Sequence, residues 1–104
     1  MEENIVKILE TEYFSPDIKI FFIEKPKGYS FITRQATYLS INTPEFKHKK
    51  NPFSFTSLNE WPHLQFIIKI YEEGKGVTFG LSRLSIGAEI IIRKPWGAIV
   101  YHGP

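Results

Sequence analysis

The sequence contains no cysteine among its 104 residues. This absence excludes a disulfide framework, a thiolate nucleophile and a metal site with cysteine ligands, so stability has to come from packing. The sequence also lacks an excess of one charge, since 13 Lys and Arg stand against 11 Asp and Glu. So small a margin argues against nucleic acid as a partner.

Long hydrophobic runs are absent as well. No uncharged stretch approaches the roughly 20 residues of a membrane span, and we expect no membrane partner. The N-terminal Met1-Glu2-Glu3-Asn4 is acidic and leads into alternating sequence, unlike a signal or transit peptide. We therefore expect a cytoplasmic protein. The length is that of one domain, and we expect residues 1–104 to form it without an internal boundary.

Apolar residues are abundant and fall in short runs. Hydrophobic residues make up 42% of the chain and aromatic residues 15%, and Gly, Pro, Asn or Asp bound most of the runs. This pattern predicts six strands, at residues 4–13, 18–23, 35–42, 53–58, 64–71 and 89–93, the last of which 98–101 could continue. Six short strands in so small a chain favour a barrel or a sandwich, because closure removes exposed edges.

One segment has helical spacing. Val77, Leu81 and Leu84 recur at i, i+4 and i+7, and Thr78 stands where a cap could serve the first turn. We predict a two-turn helix here. Gly74-Lys75-Gly76 precedes it, so small residues and backbone N–H groups meet at a helix start, which is in principle an anion site. A Gly-x-Gly is by itself most often a plain turn.

Common catalytic patterns have no candidate in the sequence. His48, His63 and His102 lack metal-ligand spacing, so we expect no metal site. No Gly-x-Ser-x-Gly elbow and no obvious carboxylate pair occurs, which leaves hydrolysis without a candidate.

The segment at residues 51–58 is more informative. Phe53 and Ser54 would point to opposite sides of a strand, so one segment offers a flat apolar surface and a hydrogen-bond partner. A planar polar cofactor needs both. Together with Gly76, Val77 and Thr78 as a phosphate-binding segment, they outline a flavin nucleotide site.

An ordered series of segments over almost the whole chain resembles the flavin-binding barrel of the ferredoxin reductase family, in particular its two-domain flavodoxin or ferredoxin reductase-like proteins. The segments are Gly28-Tyr29-Ser30-Phe31 to Gln35-Ala36, Ser40-Ile41-Asn42, residues 51–58, Phe66-Ile67-Ile68-Lys69, Gly76-Val77-Thr78 with Leu81 and Leu84, Ile86-Gly87-Ala88-Glu89 and Pro95-Trp96-Gly97. The resemblance implies an all-β fold, a six-stranded antiparallel Greek-key barrel with one short α-helix. It also implies FAD bound outside the strands, or FMN if the adenosine end is poorly held.

The resemblance also implies roles for individual residues. The family signature Arg-x-aromatic-Ser/Thr is matched by Asn51-Pro52-Phe53-Ser54, which places Phe53 against the isoalloxazine and Ser54, as the catalytic residue, beside the flavin N5. Gly76, Val77 and Thr78 are the pyrophosphate-binding segment, and Lys69 lies on a strand near the same nucleotide.

Two features depart from the family pattern. Asn51 stands where the family has an arginine for the pyrophosphate, and Lys49 or Lys50 could supply the missing charge. Similar proteins continue into an NAD(P)H-binding domain, whereas this sequence ends at Gly103-Pro104 and has no Gly-rich dinucleotide fingerprint. We therefore expect the FAD-binding domain of an NAD(P)H-dependent oxidoreductase, which works with an NAD(P)-binding domain or subunit and an electron-transfer partner.

Two other classes of function stay open at this point. The absent arginine favours a cofactor-free barrel that acts as an interaction or structural module. Aromatic residues near the basic residues 47–50 suggest an oligonucleotide-binding barrel. These aromatic residues are Tyr38, Phe53, Phe55 and Trp61.

Overall fold

The computed structural model describes residues 3–32, 34–71 and 76–97. The elements are β1 (Glu3–Ser15), β2 (Ile18–Glu24), β3 (Ala36–Ile41), β4 (Asn51–Ser54), β5 (His63–Lys69), α1 (Val77–Leu81) and β6 (Glu89–Arg93). Every paired strand is antiparallel to its neighbour, in the order β4-β3-β6-β1-β2-β5, and the sheet curls into a nearly closed barrel. The predicted all-β, six-stranded antiparallel Greek-key barrel with one short helix is confirmed.

Alternate residues of the strands point into one core. Because side chains of a strand alternate between its two faces, the strands other than β4 contribute mainly every second residue. The inward residues include Val6, Ile8, Phe21, Ile23, Leu39, Ile41, Leu64, Phe66, Ile68, Ile90 and Ile92, all of which are buried. Burying one such side chain contributes about 1.5–3 kcal/mol.

Five of the six predicted strands agree with the structure to within two residues at each end. The prediction for residues 53–58 is wrong at its end, since β4 begins at Asn51, two residues earlier, and already ends at Ser54, four residues earlier. The reason is Phe55, whose aromatic ring has high strand propensity but stacks on Phe31 in the core, with ring centroids 4.2 Å apart. The expected continuation at 98–101 lies outside the described residues.

The helix is shorter than predicted. α1 has five residues instead of two full turns, and its N-cap is Gly76 without a side-chain cap bond. Thr78 lies inside the helix, so its predicted capping role is wrong. The Thr78 hydroxyl instead accepts from the Tyr71 N–H at 3.2 Å and donates to the Tyr71 carbonyl at 3.3 Å. This pair of hydrogen bonds fixes the first turn of α1 at the end of β5.

A buried lysine holds the other end of the helix. The ammonium of Lys19 donates to the carbonyls of Leu81, Ser82 and Leu84 at 3.2, 3.3 and 2.8 Å. These carbonyls belong to the helix end and the turn after it, where intrahelical donors are missing. Burial lowers the pKa of Lys19 from its usual value. Both ends of α1 are therefore fixed to β2 and β5.

Candidate functional site

In the described part of the chain, the barrel is open between its two edge strands. β4 and β5 lie at opposite ends of the strand order and run antiparallel to each other. Just after β4, the Thr56 N–H and hydroxyl both donate to the Gln65 carbonyl, at 2.9 and 3.0 Å, and these bonds bridge the edges. From there the edges of β4 and β5 continue without pairing in the sheet. We call the region between these two edges, bordered by Asn51–Ser54 and residues 65–69, the β4–β5 seam.

Phe53 and Ser54 lie on the β4 side of this seam. In the register with β3, Phe53 opposes the buried Thr37 and Ser54 opposes Ala36. Phe53 is half-buried and packs against the core, whereas Ser54 is exposed. The two side chains thus point to opposite sides of the strand, as their spacing predicts. Two adjacent residues of one edge strand thus provide an apolar ring and an accessible hydroxyl.

The other predicted residues meet at the far end of the seam. Because β4 and β5 are antiparallel and are bridged at Thr56 and Gln65, the start of β4 at Asn51 and the end of β5 at Lys69 lie at the same end. The bonds between Thr78 and Tyr71 bring the segment Gly76–Thr78 to that end as well. The fold therefore gathers side chains from three separate parts of the sequence.

Several polar groups at this end of the seam are exposed or only weakly paired. Asn51 and Gly76 are exposed, and the first N–H groups of a helix have no intrahelical acceptor. The ammonium of Lys69 lies 4.0 Å from the Asp17 carboxylate, with 57% and 56% of the two side chains exposed. Such an exposed pair is weak, at about 0–1 kcal/mol, and leaves the lysine available to a stronger partner.

Tyr71 belongs to this region, although its sequence position gives no signal for it. Its backbone holds Thr78, and the Lys69 ammonium lies 5.5 Å from the centroid of its ring. A lone exposed aromatic residue just after a strand has many ordinary explanations. Its relation to α1 is visible only once the chain is folded.

The aromatic residues that suggest oligonucleotide binding do not form one surface. Phe55 is buried in the core and Phe53 is half-buried. Trp61 lies beside His63, with ring centroids 5.5 Å apart, and Tyr38 stacks on Trp96 at 5.1 Å. Successive bases need a row of exposed rings, which these four residues do not provide.

Within residues 3–32, 34–71 and 76–97 no group of three His, Asp or Glu side chains is placed to hold a metal ion. In the same part of the chain, no helix has the length and apolar character needed to cross a membrane.

Comparison of the fold with solved structures gives several close likenesses. A ferredoxin NADP+ reductase from Neisseria gonorrhoeae with bound FAD and NADP superposes with a TM-score of 0.86 at 19% identity, over 96% of this chain and 40% of that one. A ferredoxin-NADP+ reductase from Plasmodium falciparum with 2'P-AMP gives 0.79 at 17% identity, over 98% and 42%. The cytochrome b5 reductase domain of Ulva prolifera nitrate reductase gives 0.75 at 20% identity, over 92% and 40%.

At these identities the likenesses establish the fold. The chain spans about two fifths of the length of each of these structures. No curated protein sequence gives a significant match. The family model described as the oxidoreductase FAD-binding domain matches residues 5–101, which is nearly the whole sequence. The chain therefore belongs to the oxidoreductase FAD-binding domain family.

Proposed function

We propose that this chain is the FAD-binding part of a pyridine-nucleotide-dependent oxidoreductase, and that FAD lies along the β4–β5 seam. One observation carries the placement. A half-buried aromatic ring and an exposed hydroxyl lie on one part of the seam, while Asn51, Lys69 and Gly76–Thr78 lie at its far end. A flavin nucleotide has its groups in the same order, with a flat ring system at one end and a charged diphosphate further along.

The residues present fit the ring system. Phe53 offers an apolar surface that the core holds in place, and we place it against the isoalloxazine. Ser54 is exposed on the opposite side of the strand, and we assign its hydroxyl as the hydrogen-bond partner of the flavin N5. The flavin itself supplies the electron-transfer chemistry, whereas these side chains orient it and exclude water from one face.

The far end of the seam fits the phosphates. We assign the Asn51 amide, the Lys69 ammonium and the backbone N–H groups of Gly76–Thr78 to the pyrophosphate. The hydroxyl of Thr78 already bonds to Tyr71, so the backbone of Thr78 is the group that remains for the ligand. Asn51 and Ser54 are three residue steps apart, about 10 Å along a strand, which is the scale of the ribityl chain between ring and diphosphate.

The proposed protein partners are suggested by the length of this chain compared with the structures that it resembles. The Neisseria structure contains both FAD and NADP, and this chain spans 40% of it. We propose that an NAD(P)-binding domain or subunit delivers a hydride to the flavin, and that an electron-transfer partner accepts the electrons.

The direct test is a titration of the purified chain with FAD, followed by flavin fluorescence and the visible absorption spectrum. We expect the chain to retain FAD through gel filtration and to change its spectrum, because the ring leaves water for an apolar contact at Phe53. No retention in excess FAD would overturn the proposal. A cofactor-free interaction module, which Asn51 in the arginine position favours, would then be the better description.

A further inference from the structure

A cavity of about 440 Å³ lies beyond the end of β4. One wall consists of Phe31, Ile32 and Arg34, from the segment before β3, and the other consists of residues 55–60, which follow β4. Pockets for small organic molecules have volumes of roughly 300–1,000 Å³. The size of this cavity therefore suits a small ligand.

Hydrogen bonds hold the two walls of the cavity together. The Phe31 N–H donates to Asn59 Oδ1 at 2.9 Å, and the Phe55 N–H donates to the Gln35 carbonyl at 3.1 Å. The Lys25 ammonium also donates to the Asn59 carbonyl. Both walls are thus fixed by the fold itself, and a ligand has little ordering to supply.

The cavity has apolar surface on both walls. The rings of Phe31 and Phe55 stack with their centroids 4.2 Å apart, and both residues are buried. Ile32 and Leu58 also line the cavity, and each is more than half exposed. Covering such exposed side chains with an apolar group is favourable, because it removes apolar surface from water. An aromatic ring is a ligand group that can do this.

A buried hydroxyl on one wall lacks a partner. Ser57 lines the cavity and is 7% exposed, and within residues 3–32, 34–71 and 76–97 nothing forms a hydrogen bond with its oxygen. Buried polar side-chain atoms nearly always have a partner, so this oxygen calls for one. Serine has a single side-chain torsion with staggered positions, and its hydroxyl can therefore turn toward a polar ligand atom.

Arg34 brings a positive charge to the cavity in an unusual backbone conformation. Its φ is 72°, and no other non-glycine residue of the described chain has a positive φ. A residue with a Cβ rarely adopts this conformation, and such strain is concentrated at ligand sites. The side chain is exposed and, in the part of the chain that the structure describes, belongs to no ion pair. It is available to a carboxylate, which a guanidinium binds through two N–H groups.

Glu60 limits the charge of the ligand. It lines the same cavity and is exposed. Its negative charge repels a second one, so a ligand with a single negative charge fits better than a dianion such as phosphate.

We propose that this cavity is a binding site for a small aromatic carboxylate. The carboxylate pairs with Arg34, the ring covers Ile32 and Leu58, and the Ser57 hydroxyl donates to a ligand oxygen. None of these residues is assigned to FAD, so the inference is independent of the proposed function.

The test is a titration of the chain with benzoate at neutral pH, followed through the backbone amide signals by NMR. Benzyl alcohol keeps the ring without the charge, and acetate and inorganic phosphate have charge without the ring. We expect saturable shifts at Ile32, Leu58 and Asn59, and benzoate should bind at least about tenfold more tightly than each of the other three. Excess FAD should leave the benzoate affinity unchanged.

Variants assign the binding to individual side chains. Arg34→Gln should weaken benzoate about tenfold, whereas Lys27→Gln, a matched loss of an exposed charge outside the cavity, should change it less than about twofold. Ser57→Ala should weaken benzoate about threefold without lowering the unfolding temperature, because the hydroxyl removed has no partner in the folded chain. Arg34→Gly should raise the unfolding temperature but lose the same affinity as Arg34→Gln, since glycine relieves the positive φ.

The opposite results overturn the inference. Absence of saturable benzoate binding excludes the site, and acetate or phosphate that binds as tightly as benzoate shows an adventitious ion only. If benzyl alcohol equals benzoate, or Arg34→Gln equals Lys27→Gln, Arg34 does not bind the ligand. If Ser57→Ala lowers the unfolding temperature and leaves binding unchanged, its hydroxyl has a partner within the fold. Displacement of benzoate by FAD would make the cavity part of the flavin site, whereas a chain that binds benzoate but no FAD would keep this inference and refute the proposed function.

Discussion

The guanidinium of Arg93 donates to the Glu3 carboxylate from both Nε and Nη2, at 3.2 and 3.0 Å, which joins the end of β6 to the start of β1. Only 1% of Arg93 is exposed. Its Nη1 also donates to the Tyr38 carbonyl at 3.2 Å and to the Ser40 hydroxyl at 3.0 Å. One buried cation thus connects three neighbouring strands.

Arg93→Ala should lower the free energy of unfolding by about 3 kcal/mol, because it leaves buried acceptors on β3 without a donor. Glu3→Gln should cost less, since about half of the Glu3 side chain is exposed. Urea unfolding at neutral pH measures both. Equal losses in the two variants would show that the ion pair, and not the contacts to β3, carries the stabilisation.

The stability difference between Glu3→Gln and the unmodified chain should also depend on pH. The hydrogen bond and charge of Arg93 hold the pKa of Glu3 below its usual 4.5. The carboxylate therefore stabilises the fold above its unfolded pKa, and this contribution is lost as pH falls through the folded pKa. The difference in stability between Glu3→Gln and the unmodified chain should shrink in acid. A difference that stays constant down to strongly acidic pH would contradict this account.

Gly80→Ala should destabilise the chain, although alanine favours helices over glycine by about 1 kcal/mol. A Cβ at this position would lie 2.6 Å from Ile41 Cδ1 and 3.1 Å from the Phe46 ring. We expect a net loss of about 1–2 kcal/mol, as for other overpacked sites.

The double variant Gly80→Ala with Ile41→Val tests the cause, because valine lacks the Cδ1 atom that clashes. Its loss should be smaller than the sum of the two single losses by at least about 0.5 kcal/mol. Gly76→Ala is the control, since no heavy atom lies within 4 Å of a Cβ built there. Additive losses in the double variant would exclude the clash with Ile41.

These residues show what the sequence predicts and what it cannot. Alternation is a local property, and for this reason five strands and the opposite directions of Phe53 and Ser54 could be predicted from spacing. Gly80, in contrast, looks like a weakness of the helix until β3 and Phe46 are packed against it. Lys19 occupies an inward position of β2, but its acceptors lie more than 60 residues away in the chain.

One part of the candidate site could be predicted from the sequence and another part could not. The pair Phe53 and Ser54 is contiguous, so one strand presents both. The meeting of Asn51 with Lys69 and Gly76–Thr78 depends on the strand order, which places β4 and β5 at the two edges. Spacing alone contains no information on that order.

Tyr29→Phe should change how stability depends on alkaline pH. The Tyr29 hydroxyl donates to the Arg93 carbonyl at 2.6 Å, and burial raises the pKa of Tyr29 to about 12. The folded chain keeps this proton between about pH 10 and 12 while the unfolded chain releases it, so stability falls with pH in that window.

Phenylalanine has no proton to lose. Near pH 8 the variant should be less stable by about 1 kcal/mol because it lacks the hydrogen bond to Arg93. That difference should narrow as pH rises above 10, and urea unfolding at a series of pH values measures it. A constant difference would show that folding does not shift the pKa of Tyr29, and a difference that widens would show that folding lowers it.

Ser54→Ala tests whether the hydroxyl of Ser54 acts on the rate of flavin reduction rather than on FAD affinity. Ser54 is exposed and opposes Ala36 in the register, so alanine fits at this position and the stability should change by less than about 0.5 kcal/mol. FAD affinity should change little, since the contacts that we propose at Phe53 and at the phosphate end are kept. Reduction of bound FAD by excess free NADH should slow about tenfold or more, because the hydroxyl assigned to N5 is the group removed.

Stopped-flow absorbance measures this reduction, and Ser54→Thr is the matched control because it keeps a hydroxyl at the same position. Threonine should retain most of the rate if the hydroxyl acts on the reacting ring. If alanine weakens FAD binding as much as it slows reduction, Ser54 contributes to binding alone. If threonine is as slow as alanine, the shape of the side chain at position 54 matters and its hydroxyl does not. Retained rate with threonine, together with loss of rate but not of affinity with alanine, is the result that assigns Ser54 to N5.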